Sequence, residues 1–171
     1  MEDKTTLRLK AKSVRKLLDI PKVSEQLIEL LKSDIFYKTA KNVMIFYPTK
    51  FEVNLLSLLE DDKNFYLPRV LGTDLEVCPY KKSDDLEKSS FNILEPKTKA
   101  VNPAVLDLVI VPALMADKNG YRLGYGGGFY DRFLTINGNK FKTIVLIPKE
   151  LFVENLPVDD FDIPVDKVLY A

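Results

Sequence analysis

Apolar residues recur at helical spacing early in the chain and form short continuous runs later. The spacing predicts an amphipathic helix over residues 4–19 that ends near Pro21, and a second helix over VSEQLIELLKSD with Ser24 as a candidate N-cap. The apolar positions of the first helix are Leu7, Ala11, Val14 and Leu18. Its other stripe is basic and consists of Lys4, Arg8, Lys12 and Arg15. A stripe of this kind fits an anion site, and it fits a helix face in water as well.

The runs NVMIFYPT, LDLVIVPAL and KTIVLIP are apolar on both faces, which predicts buried strands of a parallel sheet. Further strands are predicted at NFYLPRV, at EVCPY and close to the end of the chain. A helix is predicted at VNLLSLLEDD, and irregular structure up to Lys99. Helices alternate with buried strands, and no linker or internal repeat interrupts them. We therefore expect one α/β domain over residues 1–171, a Rossmann-like three-layer sandwich with a largely parallel sheet flanked by helices on both faces.

Composition narrows the possible functions. The 171 residues include 25 basic and 25 acidic side chains, so no overall charge attracts nucleic acid or an anionic membrane. No apolar run reaches the roughly 20 residues of a membrane span, and no signal-peptide pattern is present. The single cysteine, Cys78, cannot form an intrachain disulfide. We expect a cytoplasmic monomer with no nucleic acid or membrane partner.

The chain contains no histidine. This excludes Ser-His-Asp and Cys-His catalysis, the usual histidine-containing zinc sites and imidazole proton shuttles. Any chemistry must rest on carboxylates, lysines, arginines and backbone amides.

Five of the seven glycines lie in GYRLGYGGGFYDRF, residues 120–133. This run follows the strand LDLVIVPAL and opens a predicted helix near Phe129 or Tyr130, so it lies at the carboxyl end of a strand, where open α/β sheets bind ligands. Free amides and the dipole of the following helix would attract phosphate. No Gly-Lys-Ser/Thr follows, as it would in a Walker A loop, and the spacing differs from the dinucleotide fingerprint G-x-G-x-x-G. Taken alone, the glycines fit a phosphate cradle or a flexible turn.

The segment RLGYGGGFYDRFL closely resembles the signature of 5-formyltetrahydrofolate cyclo-ligases, an Arg-Leu-Gly-x-Gly-x-Gly-aromatic-Tyr-Asp run. LPR at 67–69, NILEP at 92–96, LDLVIVPALMAD and PVDDFDIPVDKVLY also fall in the family's order, so the resemblance covers nearly the whole chain. It implies an enzyme that uses ATP and Mg²⁺ to convert 5-formyltetrahydrofolate, free or polyglutamylated, into 5,10-methenyltetrahydrofolate with release of ADP and phosphate.

The resemblance places ATP against the first helix and the glycine loop. The implied ATP-binding residues are Lys4, Arg8, Arg122, Leu123, Gly124, Tyr125, Gly126, Gly127, Gly128, Phe129 and Tyr130. Arg122 is the implied catalytic residue, because an arginine at the transferred phosphoryl group would offset charge that grows in the transition state. A salt bridge that braces the loop is the alternative role for Arg122. For Tyr130 the alternative is helix packing.

The implied folate-binding residues are Tyr47, Glu52, Tyr125, Gly126, Gly127, Gly128 and Phe129. The carboxylate of Glu52, which follows NVMIFYPT, would pair with the donor-rich edge of the pterin, although an acid that offsets a helix N-terminus fits the same position. Tyr125 and Phe129 would form walls of the pterin site. Ordinary core packing is the alternative for these two aromatic residues and for Tyr47.

Asp131 and Asp162 resemble the family's magnesium-associated acids, and Mg²⁺ is commonly bound by one or two carboxylates together with phosphate oxygens and water. Stabilisation of the helix dipole by Asp131 is an open alternative, as is a turn role for Asp162 beside Asp159, Asp160 and Asp166. Phe161 departs from the family, in which a polar residue, often histidine, frequently precedes this aspartate.

Two other functions fit the same architecture. A non-catalytic nucleotide- or folate-binding module would be expected to lose some of the implied site residues, whereas all are present here. A sugar-phosphate isomerase or ligand-sensing regulator could use the glycine loop but has no need of ATP-binding basic residues on the first helix.

Overall fold

Four α-helices and eleven β-strands make up the chain, and the structure, a computed structural model, describes all 171 residues. The helices are α1 (Lys4–Leu17), α2 (Ile20–Ser33), α3 (Ile35–Thr39) and α4 (Phe129–Asn137). The strands are β1 (Asn42–Met44), β2 (Asn64–Leu71), β3 (Asp74–Tyr80), β4 (Leu86–Lys88), β5 (Leu94–Pro96), β6 (Leu108–Ile110), β7 (Met115–Asp117), β8 (Arg122–Leu123), β9 (Lys142–Ile147), β10 (Phe152–Val153) and β11 (Lys167–Tyr170). None of the helices has the length and apolar character needed to cross a lipid bilayer.

Six strands form the main sheet in the order β11-β9-β6-β1-β2-β3. Every neighbouring pair is parallel except β2 and β3, which form an antiparallel hairpin with Gly72 in its turn. The chain passes from β1 to β2 on one side and then crosses to β6 on the other side of β1, so the strand order reverses between β1 and β6. The predicted strands and the largely parallel sheet are confirmed. Two smaller sheets, β10-β7-β8 and β4-β5, accompany the main one.

Alternate residues of the central strands point to opposite faces of the main sheet. One core contains Met44, Val109 and Val145 of the sheet with Ala11 of α1 and Phe133 of α4. The other core contains Val43, Leu108 and Ile144 of the sheet with Leu27 of α2 and Tyr37 of α3. Helices therefore cover both faces, which is what the runs that are apolar on both sides predict.

The first two helices begin at aspartate caps. Asp3 accepts a hydrogen bond of 2.7 Å from the amide of Thr6 and starts α1. Asp19 caps α2, and Pro21 lies in its first turn, where a missing N–H costs nothing. The predicted N-cap at Ser24 is therefore wrong, because Ser24 is buried inside α2 and its hydroxyl accepts a hydrogen bond from the Asn54 amide.

Three segments differ from the sequence-based expectation. Where a longer helix was expected at VNLLSLLEDD, only a 3₁₀ helix forms, at Leu56–Glu60. The amide of Leu58 donates a hydrogen bond to the carbonyl oxygen of Leu55, three residues earlier, as in a 3₁₀ turn. The stretch up to Lys99, expected to be irregular, contains the β4-β5 hairpin. The glycine loop follows β8, because an unpredicted hairpin of β7 and β8 stands between it and β6.

Candidate active site

A cleft of about 1370 Å³ opens at the carboxyl ends of β1 and β6, where the strand order of the main sheet reverses. Loops leave the two strands in opposite directions at such a point, and the crevice between them is where open α/β sheets bind ligands. Every residue that the sequence analysis assigns to a site lines this cleft. These residues are Lys4, Arg8, Tyr47, Glu52, residues 122–130, Asp131 and Asp162.

The glycine loop, residues 124–128, leaves backbone amides free to receive an anion. Gly126 has a φ of 107°, which residues with a side chain rarely adopt. Gly128 is the N-cap of α4, and no side chain caps the amides of the first helical turn. Uncapped amides and the helix dipole both favour a bound anion at this point.

Arg8 ties α1 to the glycine loop. Its Nε donates a hydrogen bond of 2.9 Å to the carbonyl oxygen of Gly124. The basic stripe predicted for α1 therefore divides, since Lys4 and Arg8 line the cleft, Lys12 is exposed to solvent and Arg15 is buried. The solvated-face reading thus holds for Lys12 and fails for Arg15, while the anion-binding role of Lys4 and Arg8 stays a prediction.

Arg15 connects the two strand ends beneath the cleft. Its guanidinium donates hydrogen bonds to the carbonyl oxygens of Phe51 at 3.0 Å, Ala113 at 2.6 Å and Leu114 at 3.3 Å, which joins the loop after β1 to the loop after β6. Burial lowers the pKa of this guanidinium. The sequence shows Arg15 only as part of a stripe, because no local pattern places the carbonyl oxygens to which it donates.

Lys4 lies between two carboxylates of the segment before β11. Its Nζ is 2.7 Å from Oδ2 of Asp159 and 2.5 Å from Oδ2 of Asp162. Burial lowers the pKa of Lys4, but hydrogen bonds to these carboxylates outweigh burial and leave the pKa above its ordinary value. Burial raises the pKa of Asp162, and hydrogen bonds from the Asp159 amide and Lys4 outweigh it in the opposite direction, so the pKa is lowered. Lys4 and Asp162 therefore both carry charge at neutral pH.

Arg122 is held by Asp131 and by the backbone of Ile163. Its side chain is only 4% exposed, and its Nη1 lies 3.2 Å from Oδ1 of Asp131 and 3.2 Å from the carbonyl oxygen of Ile163. The same carboxylate oxygen accepts a hydrogen bond from the Ile163 amide. The bracing salt bridge considered for Arg122 is thus present. It engages Nη1, whereas Nε is buried without a hydrogen-bond partner.

Glu52 is a buried carboxylate with two tyrosines near it. Its Oε1 accepts a hydrogen bond of 2.9 Å from the amide of Thr49. Burial, and then the negative charge of Glu52, raise the pKa of both Tyr125 and Tyr130, so both hydroxyls stay protonated as donors. The Tyr130 hydroxyl is buried and has no hydrogen-bond partner. This end of the cleft therefore offers a carboxylate acceptor beside protonated hydroxyls.

Phe129 is flanked by two residues that the sequence analysis did not assign to the site. The Phe91 ring meets the Phe129 ring edge-on with centroids 5.7 Å apart. The guanidinium of Arg132 lies 4.9 Å over the Phe129 ring, and its Nε donates to the carbonyl oxygen of Thr73 in the β2-β3 hairpin. Arg132 stands inside the glycine-rich motif and could have been noted there. Phe91 comes from the loop between β4 and β5 and carried no sequence signal.

Asp131 and Asp162 are the acids of the cleft that could hold a metal ion. Asp131 engages its Oδ1 with Arg122 and Ile163, and Asp162 engages its Oδ2 with Lys4 and the Asp159 amide. No group of three or more histidine, cysteine, aspartate or glutamate side chains is arranged to hold a metal by itself. Mg²⁺ needs no such cage, because it keeps several waters and commonly takes one or two carboxylates plus phosphate oxygens.

Comparison with known proteins gives one family. A sequence model described as the 5-formyltetrahydrofolate cyclo-ligase family matches residues 1–171. The 5-formyltetrahydrofolate cyclo-ligase of Haemophilus influenzae is 33% identical over 143 residues, which are 77% of this chain and 76% of that protein. The corresponding protein of Mus musculus is 32% identical over 152 residues, 78% of this chain and 75% of its own length.

Solved structures agree with the sequence comparison. The NMR structure of Aquifex aeolicus 5,10-methenyltetrahydrofolate synthetase superimposes with a TM-score of 0.82 at 33% identity, covering 98% of this chain and 89% of that one. A 5,10-methenyltetrahydrofolate synthetase from Mycoplasma pneumoniae has a TM-score of 0.77 at 20% identity and covers 98% of both chains, a likeness that shows the fold alone.

Proposed function

The chain belongs to the 5-formyltetrahydrofolate cyclo-ligase family, a family of ligases, and from this premise we propose that it converts 5-formyltetrahydrofolate and ATP into 5,10-methenyltetrahydrofolate, ADP and phosphate in a Mg²⁺-dependent reaction. The observation that carries the proposal is the make-up of one cleft. The glycine loop, which Arg8 holds by a hydrogen bond, lines this cleft together with the buried carboxylate of Glu52. An anion site and an acceptor for a heteroaromatic donor edge thus adjoin one another.

The reaction needs ATP because the oxygen of a formamide is a poor leaving group. Transfer of the γ-phosphoryl group to this oxygen breaks the bond to ADP and activates the formyl carbon. N10 of the folate then attacks that carbon and loses its proton, and the C–O bond breaks with release of phosphate. Positioning and charge stabilisation are sufficient for both steps, so a chain without histidine can carry them out.

The phosphate end of the cleft binds ATP. The amides of residues 124–128 and of the first turn of α4 receive phosphate oxygens, and Lys4 and Arg8 add positive charge. Arg122 is the catalytic residue, which offsets charge on the transferred phosphoryl group while its bridge to Asp131 holds it in place. Leu123, Tyr125, Phe129 and Tyr130 complete the nucleotide wall.

The other end binds the folate. The Glu52 carboxylate accepts hydrogen bonds from the pterin's ring N–H and amino group, and its own bond to the Thr49 amide fixes its orientation. Tyr47, Tyr125 and Phe129 form the walls against which the flat pterin packs. Residues 126–128 lie between the two ligands and allow their close approach, because no side chain intervenes.

Asp131 and Asp162 would hold the magnesium ion that accompanies ATP. The bound ion would neutralise phosphate charge during transfer. We further propose that residues 1–171 act as one cytoplasmic, monomeric domain on free or polyglutamylated folate, and the match of the family model over this whole range supports the single domain.

The decisive experiment follows the chromophore of methenyltetrahydrofolate, which its precursor lacks. Absorbance should grow only when 5-formyltetrahydrofolate, ATP and Mg²⁺ are all present. A protein that is stabilised by both ligands against heat but produces no chromophore would be a binding module. Stabilisation by sugar phosphates without any response to folate would favour an isomerase or a regulator.

A further inference from the structure

The lysine proposed for ATP phosphates is already bound by two acids of the same chain. These acids stand on a turn, residues 159–162, that we call the tail turn. The turn is closed by its own bonds, from the Asp162 amide to the Asp159 carbonyl oxygen at 3.1 Å and from the Asp159 amide to Oδ2 of Asp162 at 2.8 Å. Both carboxylates meet Nζ of Lys4 at the distances given above, so two of its three N–H donors are already engaged when a phosphate approaches.

Negative charge outweighs positive charge in the cluster around Lys4. Lys4 carries one positive charge, and Asp159 and Asp162 together carry two negative charges, which leaves the cluster with a net charge of −1. Asp160 adds a further negative charge on the same turn, although it has no hydrogen bond or ion pair with Lys4. Arg122, the nearby arginine, is itself paired with Asp131, whereas Arg8 has only the Gly124 carbonyl oxygen as a partner. An incoming phosphate therefore meets a lysine whose charge is more than cancelled.

Only one of the two acids has a role in the proposed function. Asp162 is only 16% exposed and is one of the two proposed magnesium residues, so displacement of Lys4 from it belongs to that role. Asp159 is 64% exposed, has no proposed ligand and contacts Lys4 alone with its side chain. Its contact with Lys4 is the part of the cluster that nothing in the proposed function explains.

We propose that Asp159 determines specificity for the form of the nucleotide, by competing with phosphate for Lys4 and so favouring magnesium-bound ATP over free ATP. The inference rests on the proposed function only in assuming that ATP binds in this cleft. Free ATP carries two more negative charges than its magnesium complex, so the acidic tail turn repels it more strongly. Removal of the Asp159 charge should therefore help free ATP more than it helps magnesium-bound ATP.

The test compares Asp159→Asn with Asp160→Asn. Both variants remove one negative charge from the tail turn, but only Asp159 touches Lys4. Both bonds that close the turn use backbone atoms of Asp159, one as acceptor and one as donor, so they are retained in the asparagine variant. Calorimetric titration with ATP, in excess EDTA or in excess Mg²⁺ at one ionic strength, gives the ratio of the two dissociation constants for each protein.

We expect Asp159→Asn to tighten binding of metal-free ATP about fivefold while magnesium-bound ATP changes less than about twofold, the range of a single partly exposed ion pair. Asp160→Asn should leave the ratio within about twofold of wild type, because charges without direct contact are screened by salt. The inference is overturned if Asp159→Asn leaves the ratio unchanged, or if Asp160→Asn changes it equally.

A double-mutant cycle shows whether Asp159 acts through Lys4. In a Lys4→Ala background, Asp159→Asn should change the dissociation constant for metal-free ATP no more than Asp160→Asn does. If the full effect persists, the acid acts through its general field and the competition is refuted. Wild-type protein that binds ATP with and without Mg²⁺ equally well overturns this inference alone. Wild-type protein that binds no ATP under either condition overturns the proposed function as well.

Discussion

The Nε of Arg8 donates a 2.9 Å hydrogen bond to the carbonyl oxygen of Gly124, so a side chain of the first helix holds the glycine loop directly. Arg8→Lys keeps the positive charge but removes this N–H and the planar fork. We expect ATP to bind about tenfold more weakly to Arg8→Lys, about 1.4 kcal/mol. Lys12→Ala, which removes an exposed charge from the same helix, should bind like wild type. Calorimetry with magnesium-bound ATP provides the comparison, and wild-type affinity in Arg8→Lys would show that its charge alone matters.

Gly126→Ala tests the backbone of the loop. Its φ of 107° is strained for any side chain, while the new Cβ would make only an ordinary van der Waals contact of 3.6 Å with the Arg8 guanidinium carbon. We expect the protein to fold but to lose most of its thermal stabilisation by ATP. Gly72→Ala is the matched control, because Gly72 also has a positive φ but its added Cβ would meet no atom within 4 Å. Equal ATP shifts in both variants would remove Gly126 from the nucleotide site.

Glu52→Gln separates the two ends of the cleft. The amide oxygen can still accept the bond from Thr49, so the fold should be kept while the negative charge is lost. We expect affinity for 5-formyltetrahydrofolate to fall at least about tenfold, and ATP affinity to stay within about twofold. Glu60→Gln, an exposed acid outside the cleft, serves as the control. Folate binding that is unaffected by Glu52→Gln would return Glu52 to a purely structural role.

Arg122→Ala should reduce kcat more than it reduces ATP affinity. Loss of a donor to developing charge typically lowers kcat by about 100- to 1000-fold. The variant also breaks a bridge in which Arg122 is almost fully buried and Asp131 is 25% exposed, so its midpoint of thermal unfolding should fall too. Steady-state kinetics well below that midpoint distinguish the two effects. A folded Arg122→Ala protein with normal kcat would show that Arg122 has only a structural role, the salt bridge with Asp131.

Asp162 makes stability depend on pH in the acid range. Its pKa is lowered in the folded protein, so its contribution is fully present above about 3.9, the ordinary value, and is lost as pH falls through the lowered pKa. Asp162→Asn should therefore be less stable than wild type at pH 7, by about 1 kcal/mol, and the difference should narrow toward pH 2. Urea denaturation at the two pH values measures this. A difference that stays constant with pH would mean that the charge of Asp162 contributes nothing.

Much of the fold follows from local pattern. The runs apolar on both faces predicted β1, β6 and β9, because a strand buried on both sides leaves no polar alternation. The start of α2 was misjudged at Ser24, although Asp19 before Pro21 carried the correct signal. The β7-β8 pair escaped prediction because strands of two or three residues are too short to show a period.

The composition of the cleft could be predicted, but its internal contacts could not. Residues of the glycine motif share a loop, so sequence order alone brings them together. Arg132 and Thr73 are 59 positions apart in the sequence, and Lys4 and Asp159 are 155 positions apart. Such contacts depend on how the whole sheet is assembled, which no local pattern encodes.

The contact of Lys4 with Asp162 spans 158 positions and encloses nearly the entire chain in one loop. Closing so long a loop has an entropic cost that grows with the logarithm of its length, so this contact is expected to form late in folding. A nascent chain that has emerged only through β9 would contain most strands of the main sheet but neither acid partner of Lys4. During synthesis the complete set of residues proposed to bind the nucleotide would therefore come together only after the bulk of the core. Hydrogen exchange should likewise report opening of residues 159–163 before that of β9, with ATP slowing the first process far more than the second.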